Sequence, residues 1–183
     1  TIGTAGNASD FGNMTVAKGT LGCAVSVTRG LMAGGQLDSN GSVTNIIDYI
    51  TIANTGNATD FGNLSEARQN TRGVSNGTRA VFLGGTNADL ANQGTYDSGT
   101  PTDVIDYVTI ASTGNATDFG NLTFAMTAGP VCSNGVAGLA HLNTFTIATA
   151  ANATTMASIH GAFTTDTDIY TKEIFAGWIP ATG

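Results

Sequence analysis

The chain has 183 residues, with six Lys and Arg against thirteen Asp and Glu, a formal net charge of −7 and only 10% charged residues. That balance leaves no basic surface for nucleic acid or an anionic membrane, and no apolar run approaches the ~20 residues of a membrane-spanning helix. Apolar residues at 41% are enough for a core, which argues against wholesale disorder, and solubility rests on amides and hydroxyls rather than charge.

The opening segment TIGTAGNASDFGNM (1–14) returns as TIANTGNATDFGNL (51–64) and TIASTGNATDFGNL (109–122). The last two agree at thirteen of fourteen positions, and the first agrees with the second at nine. A worn copy, TIATAANATTMASI from Thr146, has lost Asp-Phe-Gly-Asn. The copies start 50, 58 and 37 residues apart, so repeat cores are shared while linkers vary.

Between the motifs, a second pattern follows in chain order. Thr28-Arg29 leads into GLMAGG (30–35), and then comes Ile47-Asp48-Tyr49-Ile50. Thr78-Arg79 leads into AVFLGG, closing on Gly84-Gly85, and after the loop 86–103 comes Ile105-Asp106-Tyr107-Val108. The third copy reads VAGLAHL (136–142) and the fourth EIFAGW (173–178). Short Val/Ile/Phe/Tyr-rich runs bounded by Gly and Asn predict strands. Only SEAR (65–68) and ADLANQ (88–93) invite a helix. The expectation is a single all-β repeat domain over 1–183, with unit cores near 1–35, 46–85, 104–142 and 144–178 and a variable loop at 86–103.

The unit Arg79-x-x-Phe82-Leu83-Gly84-Gly85, then Tyr107, then Phe119 resembles the kelch repeat, with Phe in place of its usual Trp and Arg68 where the closing Arg is expected. Met126 replaces that Arg in the next copy. The wording IDYVTIASTGNATDFGNL with SNGTR is similar to kelch-like repeat virion structural proteins of tailed bacteriophages, marine and cyanobacterial ones above all. The resemblance implies a kelch-like β-propeller of about four four-stranded units, either a four-bladed closed ring or part of a larger ring. The order of segments fits closure, because the chain starts in mid-unit and an N-terminal half unit can complete one left open near 169–178.

Motifs that carry chemistry elsewhere read as structure here. Asp60-Phe61-Gly62, Asp118-Phe119-Gly120 and Asp10-Phe11-Gly12 share letters with the kinase magnesium motif, but no phosphate loop or catalytic loop accompanies them. Asp caps a bend, Gly supplies an unusual φ and Phe plugs the gap between units. The eleven Asp are scattered without a calcium-loop spacing, and D-T-D at 166–168 is the densest cluster. His141 and His160 lack metal-ligand company, nine Asn-x-Ser/Thr sequons are compositional, and no nucleophile elbow exists. No catalytic residue, metal site or cofactor is therefore assigned. Cys23 and Cys132 occupy equivalent repeat positions, too far apart for a disulfide, and read as free buried thiols. Arg29, Arg68, Arg72 and Arg79 stand at strand junctions, where Arg68 or Arg79 can bond an Asp or carbonyl of the neighbouring unit.

The loop 86–103 is the least repetitive segment, and Asp89, Tyr96 and Asp97 are its candidate binding residues. The resemblance implies a non-enzymatic structural or adhesion component of a virion, a tail fibre or appendage or a capsid decoration. Its partners would be other virion proteins or identical subunits and a host-surface glycan, with neither nucleic acid nor membrane insertion. The alternative is a carbohydrate-binding propeller of a bacterial surface or secreted protein, with Tyr96 and Trp178 as stacking aromatics.

Overall fold

The computed structural model describes residues 7–37, 42–87, 99–127, 131–133, 137–140 and 143–155. Within them the protein is all-β, and SEAR is irregular rather than helical. Three four-stranded antiparallel sheets follow one another along the chain, each a simple meander. Sheet 1 contains β1 (Gly22–Val25), β2 (Arg29–Ala33), β3 (Ile46–Thr51) and β4 (Thr59–Asn63). Sheet 2 contains β5 (Arg72–Ser75), β6 (Arg79–Leu83), β7 (Thr102–Thr109) and β8 (Thr117–Met126). Sheet 3 contains β9 (Val131–Ser133), β10 (Ala137–Ala140), β11 (Asn143–Thr146) and β12 (Thr154–Thr155).

The near-identical copies take the same backbone form. Asn54, Ser112 and Thr149 amides each donate to the carbonyl three residues earlier, at 3.1–3.2 Å. Ile52 N reaches the Thr28 carbonyl at 2.9 Å, and Ile110 N reaches Thr78 at 2.8 Å. The third-to-fourth strand pairs of sheets 1 and 2 also carry a register irregularity at the aspartate, between Ile47 and Asp48 and between Ile105 and Asp106.

Burial explains the sequence pattern. On sheet 2, Ala80, Phe82, Val108 and Ile110 pack with Leu31, Ala33, Ile47 and Phe61 of sheet 1. The alternate residues Val81, Leu83, Ile105 and Phe119 pack with Phe145 and Ile147 of sheet 3. A sheet covered on both faces needs apolar side chains at every position, so β6 reads as an unbroken run instead of alternating. The first strands β1, β5 and β9 of successive sheets also lie next to one another.

Cys23 corrects one expectation. β1 alternates buried and exposed residues, and Cys23 falls on an exposed position between buried Gly22 and Ala24. Strand phase overrides the preference of cysteine for interiors. The side chain of Cys132 lies outside the described residues, as do ADLANQ, His141, His160, Asp89, Tyr96, Asp97 and the part of the fourth copy after Thr155, with its segment 169–178.

Candidate functional site: the seam between successive sheets

The repeat motif forms one seam, used three times. Asp60 Oδ1 accepts from Gly62 N at 3.0 Å, Asp118 Oδ1 from Gly120 N at 2.8 Å and Asp10 Oδ1 from Gly12 N at 3.0 Å. Each Asp thus closes a turn with its own backbone, which exposes the following carbonyls to the next unit. The Phe61 carbonyl takes Gly114 N at 2.7 Å and the Asn63 carbonyl takes Ala116 N at 2.7 Å, while Asn115 Oδ1 accepts from Asn63 N at 3.1 Å. Phe11, Asn13, Gly56, Ala58 and Asn57 reproduce the same set one unit earlier. Asn121, Ala153 and Asn152 reproduce the Asn part of it one unit later.

Glycine is required in the seam by contact as well as by conformation. Gly62 has φ 145°, and a Cβ there would run into the Gly114 carbonyl. The Gly84-Gly85 pair has φ values of 57° and 110°, and Gly85 N donates to the Met126 carbonyl at 2.8 Å. Gly34 and Gly35 repeat this arrangement against the Arg68 carbonyl.

Aromatic and cationic side chains fill the seam. Tyr49 meets Phe61 edge-on at 5.9 Å, and Tyr107 meets Phe119 at 5.8 Å, with Phe145 on the far side of Phe119. Arg29 lies over the Tyr49 ring at 4.5 Å, and its Nη1 donates to the Ile110 carbonyl of the next sheet at 2.9 Å. Arg79 does the same over Tyr107 at 4.1 Å and onto the Ile147 carbonyl at 3.1 Å. One guanidinium therefore stacks on its own unit and bonds its neighbour, which its planar fork of donors allows.

Two fully buried ion pairs lock the linkers before sheets 1 and 2. Lys18 Nζ sits 3.3 Å from Asp48 Oδ2 and donates to the Ile46 carbonyl at 2.7 Å, and Thr15 Oγ1 donates to Asp48 Oδ1. Arg68 Nη2 sits 3.0 Å from Asp106 Oδ2, which also accepts from Ser65 N and Oγ. Burial pushes both cations below their ordinary pKa, and the facing aspartate only partly offsets it. Glu66, 3.6 Å from Arg68, also accepts from Thr102 Oγ1 at 2.7 Å.

The sequence places Arg68 against an Asp or carbonyl of the neighbouring unit, and the Arg68–Asp106 pair agrees, but it singles out no particular aspartate and gives Lys18 and Asp48 no role. A signal existed. The cation stands seven residues after Phe11 and Phe61, and its counterpart after Phe119 is Met126, while the counterpart of Asp106 is Asn143. Both charges are absent together from the third copy, and so are both members of the Arg–Tyr pair, replaced by Ala137 and Thr144.

Among the described residues no group of three His, Cys, Asp or Glu stands close enough to hold a metal ion. Neither a protein-family model nor a curated protein matches the chain.

Proposed function

We propose that the chain is a kelch-like β-propeller of about four four-stranded units, a four-bladed ring or part of a larger one, serving as a non-enzymatic structural or adhesion component of a tailed-phage virion. The observation that carries this reading is the seam: one set of Asp, Phe, Gly and Asn contacts joins each unit to the next. Adjacent first strands support a radial arrangement, in which inner strands gather at an axis and outer strands diverge. Repeat arrays gain stability unit by unit from their neighbours' faces, which suits a rigid body in an extracellular particle.

The polar chemistry of the described part supports a structural role over a catalytic one. Asp10, Asp60 and Asp118 close turns, Asp48 and Asp106 face buried cations, and Arg29 and Arg79 cover the tyrosines that could otherwise stack on a sugar. Contacts to other virion proteins, identical subunits or a host glycan belong on this reading to the loop 86–103.

Mass spectrometry of purified particles from a phage encoding the chain tests the proposal, with cryo-EM to count the units around the axis. Peptides from 51–72 at several copies per particle are the expected result. Absence of the protein from intact particles would remove the virion role. An array without radial closure would remove the propeller.

A further inference from the structure

The hairpin between β5 and β6 carries a reactive pair of residues. Ser75 pairs with Ala80, Asn76 N donates to the Arg79 carbonyl at 3.2 Å, and Gly77 and Thr78 stand exposed at the tip. Asn76 Oδ1 accepts from Thr78 N at 3.0 Å and from Arg79 N at 2.8 Å. Sheet 1 caps its matching hairpin with Ser26, whose Oγ accepts from Thr28 N at 3.2 Å and from Arg29 N at 3.0 Å. Val27 stands at that tip without a positive φ. A hairpin of this length therefore demands neither asparagine nor glycine.

Three features favour attack of the Gly77 amide on the side-chain carbonyl of Asn76. Gly77 has open space where a Cβ would stand, so no neighbouring group crowds its nitrogen. Among the described residues its N–H makes no hydrogen bond. The two amides on Asn76 Oδ1 polarise that carbonyl and face the oxygen on which negative charge builds during attack, as in an oxyanion hole. Other asparagines lack this combination. Asn57, Asn115 and Asn152 precede alanines whose amides are engaged in the seam: Ala58 N donates to Asn13 O at 2.8 Å, and Ala116 N and Ala153 N donate to Asn63 O and Asn121 O at 2.7 Å. Among the described residues Asn76 is the one asparagine that precedes a glycine.

We propose that Asn76-Gly77 is a self-modifying site whose conversion to isoaspartate loosens the Arg79 clamp between sheets 2 and 3. Gly77 N bonds to Asn76 Cγ, the amide proton passes to Nδ2, and that group leaves as ammonia. Water then opens the cyclic imide. Addition at the former main-chain carbonyl frees an α-carboxylate and routes the chain through Cβ and Cγ, which is isoaspartate. Addition at Cγ gives ordinary aspartate, and either way the balance is water in and ammonia out. In isoaspartate the Cγ carbonyl belongs to the backbone, so the cap on Thr78 N and Arg79 N is lost and the turn gains a carbon. Those two residues carry the hairpin's outward contacts. The Thr78 carbonyl takes Ile110 N at 2.8 Å, and Arg79 stacks on Tyr107 and donates to the Ile147 carbonyl at 3.1 Å. The inference needs only this hairpin and its seam, and stands apart from the propeller reading.

The test ages the full folded chain at pH 8 beside Asn76→Ser, which supplies the side chain that already caps the hairpin of sheet 1. Trypsin, cutting after Arg72 and Arg79, isolates the site in the peptide 73–79, where electron-transfer fragmentation tells isoaspartate from aspartate. Isoaspartate should accumulate there about tenfold faster than at Asn57 or Asn115, which lack both the free amide and the polarised carbonyl. Amide exchange in 143–155 should quicken in the aged parent and stay unchanged in aged Asn76→Ser. A rate at Asn76 no higher than at the other two asparagines overturns the site. Full conversion to isoaspartate with unaltered exchange in 143–155 overturns its link to the clamp.

Discussion

Arg68 and Asp106 meet at 3.0 Å with no solvent on either side chain, at the position that Lys18 and Asp48 occupy one unit earlier. The pair is imperfectly served: Arg68 Nε and Asp106 Oδ1 are buried without a hydrogen-bond partner. Desolvating two charges costs free energy that an incomplete hydrogen-bond set does not fully return, so such a pair fixes geometry more than it adds stability. Breaking it from one side is a different matter, because the surviving charge stays buried alone.

Arg68→Met therefore lowers unfolding free energy by about 3–5 kcal/mol, the usual cost of orphaning a buried charge. Arg68→Met with Asp106→Asn, the pair of residues found in the third copy, costs well under the sum of the two single changes. Urea titrations of the four proteins give the coupling energy directly. Additive losses would mean that the two side chains act independently, against the geometry.

Gly62→Ala forces a side chain into φ 145° and into the Gly114 carbonyl of the next unit. Strain and collision together cost at least about 2 kcal/mol. Gly56 has no positive φ and open space at its Cβ position, so Gly56→Ala stays within about 0.5 kcal/mol of the parent. Thermal melts of the two variants decide whether the seam, rather than glycine content in general, holds the array.

Much of this was legible because the chain repeats itself. The gap from Tyr to Phe is the same twelve residues in two copies, and it yields two edge-on contacts that differ by 0.1 Å. The strand runs around Arg29 and Arg79 were equally plain, since buried strands announce themselves by β-branched and aromatic residues. Lys18–Asp48 was hidden because its partners lie on different segments and composition carries no pairing information. Cys23 was misread because residue preference says nothing of strand phase, and a shift of one residue turns a side chain to the opposite face. Asp89, Tyr96 and Asp97 lie in the loop outside the described residues, where the repeat offers no template.

Arg79 joins two units through one side chain, so its loss should be felt on the far side of the seam. Arg79→Met removes the stack on Tyr107 and the bond to the Ile147 carbonyl, for about 1–2 kcal/mol in all. Amide exchange followed by mass spectrometry should show faster exchange in 143–155 and no change in 22–51. Arg79→Lys recovers only part of the protection, because an ammonium cannot stack and donate in two directions as a planar guanidinium does. Uniform acceleration across the chain would contradict a local clamp.

Cys23 is exposed in its side chain, but partial desolvation raises its pKa above the ordinary 9.0, against a smaller opposing pull from Lys18. The thiolate is the reactive form, so accessibility alone overstates how fast this residue reacts. At pH 8, iodoacetamide should label native Cys23 more slowly than the same residue in the urea-unfolded chain, read on its own peptide by mass spectrometry. Raising the pH past 9 should narrow the difference as the folded thiol begins to ionise. The linkage has a definite sign: the unfolded thiol loses its proton first, so the contribution of Cys23 to stability is intact below pH 9 and declines above it. Lys18→Met removes the cation that favours the thiolate and should slow labelling further, and faster labelling in that variant would show that the electrostatic assignment is wrong.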